Sequence, residues 1–193
     1  MKTVFIILSS LLTIISAVPY LLNVIKNKTK PKVVTWGVWS LLTFISLVAS
    51  FVEGQYATAA LLLFASLGSL SIAILGWKNG NKKFNILDVL CLIGVLIGII
   101  LWSVFDSPVI AVVIMVSIDF IGGIPTTIHC WKSPEEETGS AFFMGFLGAL
   151  FTVLVLDSWQ ITSFLFPLFL VANNLNLTLI IFIRKRLLLS KNK

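Results

Sequence analysis

Hydrophobic residues occupy seven long stretches of the chain, and short polar segments separate them. A bilayer core about 30 Å thick is crossed by roughly 20 helical residues, which is close to the length of each stretch. The pattern therefore predicts seven membrane-spanning α-helices, the sixth of them short. The predicted spans run from Thr3 to Ile25, Val33 to Val52, Tyr56 to Trp77, Phe84 to Phe105, Val109 to Trp131, Ser140 to Leu156 and Trp159 to Ile183.

The composition is typical of a membrane protein and excludes an ordinary soluble domain. Hydrophobic residues make up 58% and charged residues 11% of the 193 residues, whereas soluble domains contain about 45–50% and about 25%. The formal net charge of +6 does not indicate nucleic-acid binding, because Lys and Arg lie in small groups between apolar stretches. We therefore expect an all-α polytopic membrane protein, surrounded by the lipid bilayer and without a nucleic-acid partner.

The groups of basic residues predict how the chain is oriented in the membrane. Short cytoplasmic loops accumulate Lys and Arg, and alternate loops and the C-terminal tail contain all but one of the fourteen basic residues. The remaining one, Lys2, lies at the other end, where the turns carry Glu53, Asp106 and Asp157. We expect the N-terminus outside and the C-terminus in the cytoplasm, with the cell membrane as the location.

Few residues have the spacing that enzyme or metal chemistry requires. Cys91 and Cys130 lie inside apolar stretches and fit no metal-binding or redox motif. His129 is the only histidine, and no nucleophile is paired with a base in a recognisable motif. The sequence therefore predicts no enzyme, no metal site and no cofactor.

The two halves of the chain resemble each other. Pro19 and Pro125 are 106 residues apart, as are Lys26 and Lys132. The segment 68–71 of the third predicted span also aligns with the segment 173–176 of the seventh. Three spans reverse the direction of a chain, so two parallel repeats need one extra helix between them. We predict a 3+1+3 arrangement, with a triple-helix repeat at 1–78, a linking helix at 79–107, and a second repeat with a short basic tail at 108–193.

This arrangement resembles the SWEET sugar transporters and the wider PQ-loop superfamily. The similarity covers the whole chain and includes the proline in the first helix of each repeat, Lys28-Thr29 after the first of these helices, and Pro167 shortly before Asn173-Asn174. The residue after each repeated proline is Tyr20 or Thr126, where the superfamily has Gln. The resemblance implies two triple-helix bundles that rock around a central solute site.

Asp119 is a candidate binding residue because it lies near the middle of the fifth predicted span. An ionisable side chain there costs roughly 2.5–3.5 kcal/mol and usually has a function. Solute binding and proton coupling are the two functional interpretations. The alternative is a neutral or hydrogen-bonded aspartate that only seals helix packing.

Amide and hydroxyl groups supply the other candidate binding residues. Asn173 and Asn174 lie in the seventh predicted span, and Ser69 lies at the corresponding place in the third. Amides beside a midplane cavity suit hydroxyl-rich or zwitterionic solutes, although they also join helices by hydrogen bonds. Asn176 is a weaker candidate, since consecutive helical residues point in different directions.

Pro19 and Pro125 are candidate hinges. Proline removes one backbone hydrogen bond and crowds the preceding turn, so each should kink its helix. A symmetric pair of kinks would let the inner halves of two helices swing together. A static bend is the alternative interpretation.

Two oppositely charged loops are candidates for an inner gate. The predicted symmetry places the acidic run after the fifth span beside the basic loop after the first, so an ion cluster could close the cytoplasmic side. A solvated acidic run is the alternative. The candidate gate residues are Lys28, Lys30, Glu135, Glu136 and Glu137, with Lys32 beside them.

Taken together, the sequence predicts a carrier that moves a small polar solute by alternating access. Sugar facilitation is the first expectation, and a proton-coupled carrier of amino acids or other metabolites is the second. A membrane receptor or retention protein is a third interpretation, from a different functional class. One chain can form a complete pathway, and a homo-oligomer remains open.

Overall fold

A computed structural model of the chain describes residues 2–52, 56–79, 86–105, 107–156 and 159–191. Over these residues the protein is all-helical. The α-helices are α1 Lys2–Ile25, α2 Val33–Val52, α3 Tyr56–Asn79, α4 Ile86–Val104, α5 Pro108–Lys132, α6 Gly139–Leu154 and α7 Ile161–Lys191, and a short 3-10 helix, Pro134–Glu136, precedes α6. The turns that the sequence places outside, at Glu53, Asp106 and Asp157, lie outside the described residues.

The helix limits follow the hydrophobic pattern closely, with one large difference near the C-terminus. α2 has the predicted limits, and α1 and α5 begin and end within a residue of theirs. α7, however, continues from the predicted limit at Ile183 to Lys191. The Arg, Lys and Leu residues of this extension are strong helix formers. The basic tail is therefore a helical continuation of the last span as far as Lys191.

Six helix termini converge at one end of the bundle, which we call the basic end. It contains the segments 26–32, 76–79, 86–88, 132–139 and 184–185. Contacts join these segments directly. Lys30 pairs with Glu136, the Lys32 ammonium lies 3.2 Å from an Asp88 oxygen, and the Arg184 side chain bonds the Trp131 carbonyl at 3.1 Å. Gly76 packs against Pro31, which would lie 2.8 Å from a Cβ atom at this glycine. The described helices therefore alternate in direction along the chain.

The helix contacts are related by a simple exchange. Helix α3 packs against α1 and α2, and α7 packs against α5 and α6. Across the middle of the molecule α1 packs against α6 and α2 against α5, while α4 lies mainly against α5. If α1 is exchanged with α5, α2 with α6 and α3 with α7, each of these contacts becomes another contact in the same group. The contacts of α4 are the exception.

Glycine allows close approach at two helix contacts. A Cβ atom on Gly122 of α5 would lie 2.6 Å from Val38 of α2, and one on Gly98 of α4 would lie 2.5 Å from Ile118 of α5. Both distances are too short for a real side chain. Small residues at such crossings are typical of helices that associate in membranes.

Length and composition alone qualify two described segments as membrane spans, Val109–Lys132 and Ser163–Ser190. Shorter apolar helical segments are present in the other five α-helices. Large apolar side chains also point outward, as Ile97 and Ile100 do on α4, which are 51% and 62% exposed. Apolar surfaces of this kind mark membrane or protein contacts.

Candidate functional site

A cavity of about 240 Å³ lies among five helices of the bundle. It is slightly smaller than the pockets of about 300–1,000 Å³ that bind drug-sized molecules, so it suits a small solute. Aromatic and small side chains make up most of its wall, and no charged residue is among the described lining residues. These are Ser16, Ala17, Tyr20, Trp36, Trp39, Phe64, Ala65, Gly68, Ser69, Ile72, Ala141, Phe142, Gly145 and Asn174.

Asn174 is the amide side chain on the cavity wall. Its Nδ2 donates to the Leu170 carbonyl at 2.9 Å, one turn earlier in α7. Its Oδ1 faces α6, where a Cβ on Gly145 would lie 2.9 Å away. Because Gly145 has no side chain, α6 leaves the space that the Asn174 amide occupies.

The structure brings two of the four predicted binding residues together and separates the others. Ser69 and Asn174 line the same cavity, although they come from α3 and α7. Asn173 is half-buried and Asn176 is exposed, and neither is among the described lining residues. Ser69 and Asn174 are thus the predicted pair that can contact one solute.

Asp119 lies apart from this cavity. Its side chain is buried where α5 packs against α2, and it interacts with the Trp39 indole. Among the described residues the Trp39 Nε1 has no partner at ordinary hydrogen-bond geometry. Trp39, whose ring lines the cavity, therefore links Asp119 to it.

Narrowing the cavity at Gly145 is expected to weaken solute binding. In Gly145→Ala the new methyl group would meet the Asn174 amide, which must rotate and lose its bond to Leu170. Loss or misplacement of one amide hydrogen bond is worth about 1–1.5 kcal/mol, so a solute that contacts this amide should bind roughly tenfold more weakly.

Gly37→Ala is the matched control for this substitution. A Cβ atom at Gly37 of α2 would meet nothing within 4 Å, so this change adds a methyl group to a helix without crowding anything. An equal loss of solute affinity in both variants would show that the Asn174 amide does not contact the solute.

Tyr20 closes the cavity toward the basic end. Its side chain is completely buried, and its hydroxyl donates to Glu137 Oε2 at 2.8 Å. The Trp36 indole N–H donates in turn to the Tyr20 hydroxyl at 3.1 Å, and the two rings lie 4.6 Å apart. Since Tyr20 and Trp36 both line the cavity, the cavity floor is bonded directly to the loop that precedes α6.

On the basic-end side of Tyr20, contacts join the loops 26–32 and 132–139, which contain the predicted gate residues. Lys30 pairs with Glu136, and the Lys30 backbone N–H donates to the Glu136 carbonyl at 2.8 Å. The hydroxyl oxygens of Thr29 and Thr138 lie 2.5 Å apart in the buried interior. The predicted gate residues Lys28 and Glu135, in contrast, are exposed. The loops therefore meet, through one ion pair and several hydrogen bonds.

Glu137 is buried, unlike the neighbouring Glu135. Burial raises the pKa of the Glu137 carboxyl from 4.5 to about 8, although the hydrogen bond from Tyr20 and the nearby Lys185 partly oppose the shift. Lys185 of α7 donates to the Glu137 backbone carbonyl at 2.9 Å. A carboxyl in this position is neutral over much of the pH range in which it would be charged in water.

Sequence reasoning missed two groups at the basic end. In the sequence Tyr20 is only a departure from the superfamily pattern, and a hydroxyl directly after a candidate hinge proline is the available signal. Asp88 lies in the first turn of α4, and the buried Lys32 ammonium lies 3.2 Å and 3.4 Å from its two oxygens. An acidic residue at the start of an otherwise apolar span was the signal for this pair.

Comparison with known proteins assigns no family. No family model, no curated protein and no solved structure matches the chain. The cavity and the contacts at the basic end therefore carry the functional assignment.

Proposed function

We propose that this protein carries a small polar solute across a membrane by alternating access. The single observation behind the proposal is the small cavity among the helices, with its floor bonded across the molecule through Tyr20 and Glu137. A cavity among helices that a few side-chain contacts seal on one side fits a carrier in a state closed at the basic end. Breaking these contacts would open the cavity to that side.

Two triple-helix bundles with α4 as the linking helix are the proposed moving parts. The exchange of α1–α3 with α5–α7 relates the helix contacts to one another, which supports parallel repeats of the kind used by transporters. Pro19 and Pro125 lie inside α1 and α5 and stand directly before Tyr20 and Thr126, both buried. We propose them as hinges next to the gate.

The proposed topology has seven spans, with the N-terminus outside and the C-terminus in the cytoplasm of a cell membrane. The convergence of the lysine-rich loop 26–32, the end of α3, the loop 132–139 and the end of α7 at one end supports this arrangement. Basic residues at one end of a bundle favour the cytoplasmic side. The gate at the basic end is then the cytoplasmic gate.

An uncharged, hydroxyl-bearing solute fits the cavity best, and sugar is the first proposal. The described wall offers the Asn174 amide and serine hydroxyls for hydrogen bonds, and aromatic faces for the apolar side of a sugar ring. No charged side chain is available there to pair with the ammonium or carboxylate of an amino acid. The buried Asp119 nevertheless keeps a proton-coupled carrier as the second proposal.

The experiment is uptake of labelled sugars and amino acids into proteoliposomes, with and without an inward proton gradient. Asn174→Ala is expected to reduce uptake roughly tenfold, for a hydrogen bond worth about 1.4 kcal/mol. Asn176→Ala is the matched control, because this amide is exposed on the same helix. Asp119→Asn tests coupling: gradient-driven uptake that it abolishes supports the second proposal.

Absence of uptake for every solute in the panel would contradict the transport proposal. Saturable binding of a solute without translocation would instead indicate a membrane receptor. Equal loss of uptake in Asn174→Ala and Asn176→Ala would show that the cavity around Asn174 is not the solute site.

A further inference from the structure

Four ionisable side chains form a line from the cavity to the surface of the basic end. Tyr20 lines the cavity, and its hydroxyl oxygen lies 2.8 Å from Glu137 Oε2. The other carboxyl oxygen, Glu137 Oε1, lies 3.9 Å from His129 Nε2, which lies 3.6 Å from Glu136 Oε2. Glu136 pairs with Lys30 where both side chains reach solvent.

Two facing atoms in the middle of this line are buried and unsatisfied. Glu137 Oε1 and His129 Nε2 have no hydrogen-bond partner among the described residues. Buried polar atoms are nearly always bonded, so an unpaired pair needs an explanation. A movement of about 1 Å would bring the two atoms to hydrogen-bonding distance, where they can share one proton.

The groups around Glu137 come from every element packed against it. Tyr20 faces it from α1, His129 and Cys130 from α5, and Lys185 from α7, while Glu136 precedes it in its own loop. Lys185 bonds the backbone carbonyl and leaves the carboxyl group without a paired ammonium. Desolvation outweighs these neighbours and raises the Glu137 pKa to about 8.

We propose that Tyr20, Glu137, His129 and Glu136 form a proton relay between the solute cavity and the aqueous surface of the basic end, with Glu137 as the group that holds the proton. This proposal rests on the proposed transport function and deepens it, since it makes the carrier proton-coupled. It assigns the coupling carboxyl to Glu137 and not to Asp119.

Loading of the relay starts when helix movement admits water from the cavity to the Tyr20 hydroxyl, which is completely buried in the closed state. A hydronium ion gives one proton to the free lone pair of the Tyr20 oxygen, because the Trp36 indole N–H occupies the other. Tyr20 simultaneously gives its own hydroxyl proton to Glu137 Oε2. Tyr20 ends neutral, and the Glu137 carboxylate becomes a carboxylic acid.

Release runs toward the basic end. Rotation of the acid turns its proton toward His129 Nε2, which accepts it and becomes imidazolium. The imidazolium then gives the proton to the Glu136 carboxylate, which exchanges it with bulk water. Opening of the gate also releases the proton, because it exposes Glu137 to water. A solvated glutamate with an ordinary pKa near 4.5 releases its proton at neutral pH.

The direction of pH dependence follows from the raised pKa of buried Glu137. Between about pH 4.5 and 8 the closed state binds one proton more than an open state with a solvated carboxyl. The closed state is therefore fully stabilised below pH 4.5, and this stabilisation is lost as the pH rises through about 8.

The first test measures the carboxyl group without any solute. Infrared difference spectra of reconstituted protein, recorded below and above pH 8, should show a protonated carboxyl band that is absent in Glu137→Gln. Glu135→Gln and Asp119→Asn control for loss of another carboxyl, and both should retain the band. A wild-type band that persists in Glu137→Gln, or that titrates near pH 4.5, would overturn the proposal.

The second test follows protons and solute together in vesicles loaded with a pH-sensitive dye. Solute entry into wild-type vesicles should acidify the lumen. Glu137→Gln, whose amide oxygen can still accept from the Tyr20 hydroxyl, should reduce the acidification per solute molecule taken up to zero. Glu137→Asp should restore part of it, and Tyr20→Phe should block it because the phenyl ring has no hydroxyl to relay. If Glu137→Gln takes up solute and acidifies the lumen as the wild type does, the relay is refuted but the transport function is not. If the wild type takes up no solute, the transport function is refuted. In that case the infrared experiment alone tests whether Glu137 holds the proton.

Discussion

Replacing Lys32 with methionine is expected to destabilise the protein by about 3–5 kcal/mol. The Lys32 ammonium and the Asp88 carboxylate are both buried, with Asp88 only 1% exposed, and they join the start of α2 to the start of α4. Methionine keeps the length of the side chain but removes the ammonium group that faces the buried Asp88 carboxyl. Unfolding in detergent by heat or denaturant would measure the loss.

The double variant Lys32→Met with Asp88→Leu should recover most of this stability. Replacing a buried ion pair by apolar residues of similar size is often neutral or stabilising, because both desolvation penalties disappear. Lys28→Met is the matched control, since Lys28 is an exposed lysine in the same loop and should change stability by no more than about 0.5 kcal/mol. Equal unfolding free energies for Lys32→Met and Lys28→Met would show that the pair does not stabilise the fold.

The helix limits could be predicted because short polar segments with turn-forming residues separate the long apolar stretches. α2 fills one such stretch and has its predicted limits. The rule weakens where the apolar pattern fades. Past Ile183 the hydrophobic signal ends, but helix-forming residues carry α7 on to Lys191.

The candidate site could be predicted only in part, because burial of a side chain depends on which helices meet. Internal similarity paired Ser69 with Asn174, and both line the cavity. Three consecutive glutamates, in contrast, read alike in the sequence. The structure exposes Glu135, pairs Glu136 with Lys30 and buries Glu137 against Tyr20. Such differences arise from the approach of α1 to α6, which no local pattern encodes.

Locking the basic end with a disulfide is expected to abolish transport. The hydroxyl oxygens of Thr29 and Thr138 lie 2.5 Å apart, so cysteines at both positions would place their sulfur atoms close to the 2.05 Å bond length of a disulfide. Cys91 and Cys130 are buried and should not compete for oxidation. Uptake by Thr29→Cys/Thr138→Cys should fall to the level of empty vesicles after oxidation and return after reduction.

A bridge within one bundle provides the control for this experiment. Ser40 of α2 and Ser66 of α3 each donate to the other's backbone carbonyl at 3.3 Å, and both helices belong to the first repeat. Oxidised Ser40→Cys/Ser66→Cys should transport at the rate of its reduced form, because rigid rocking of the bundles does not separate α2 from α3. Continued uptake by fully bridged Thr29→Cys/Thr138→Cys would mean that solute passes without opening of the basic end. Alternating access requires that end to open, so this one result decides between a moving gate and a fixed structural contact.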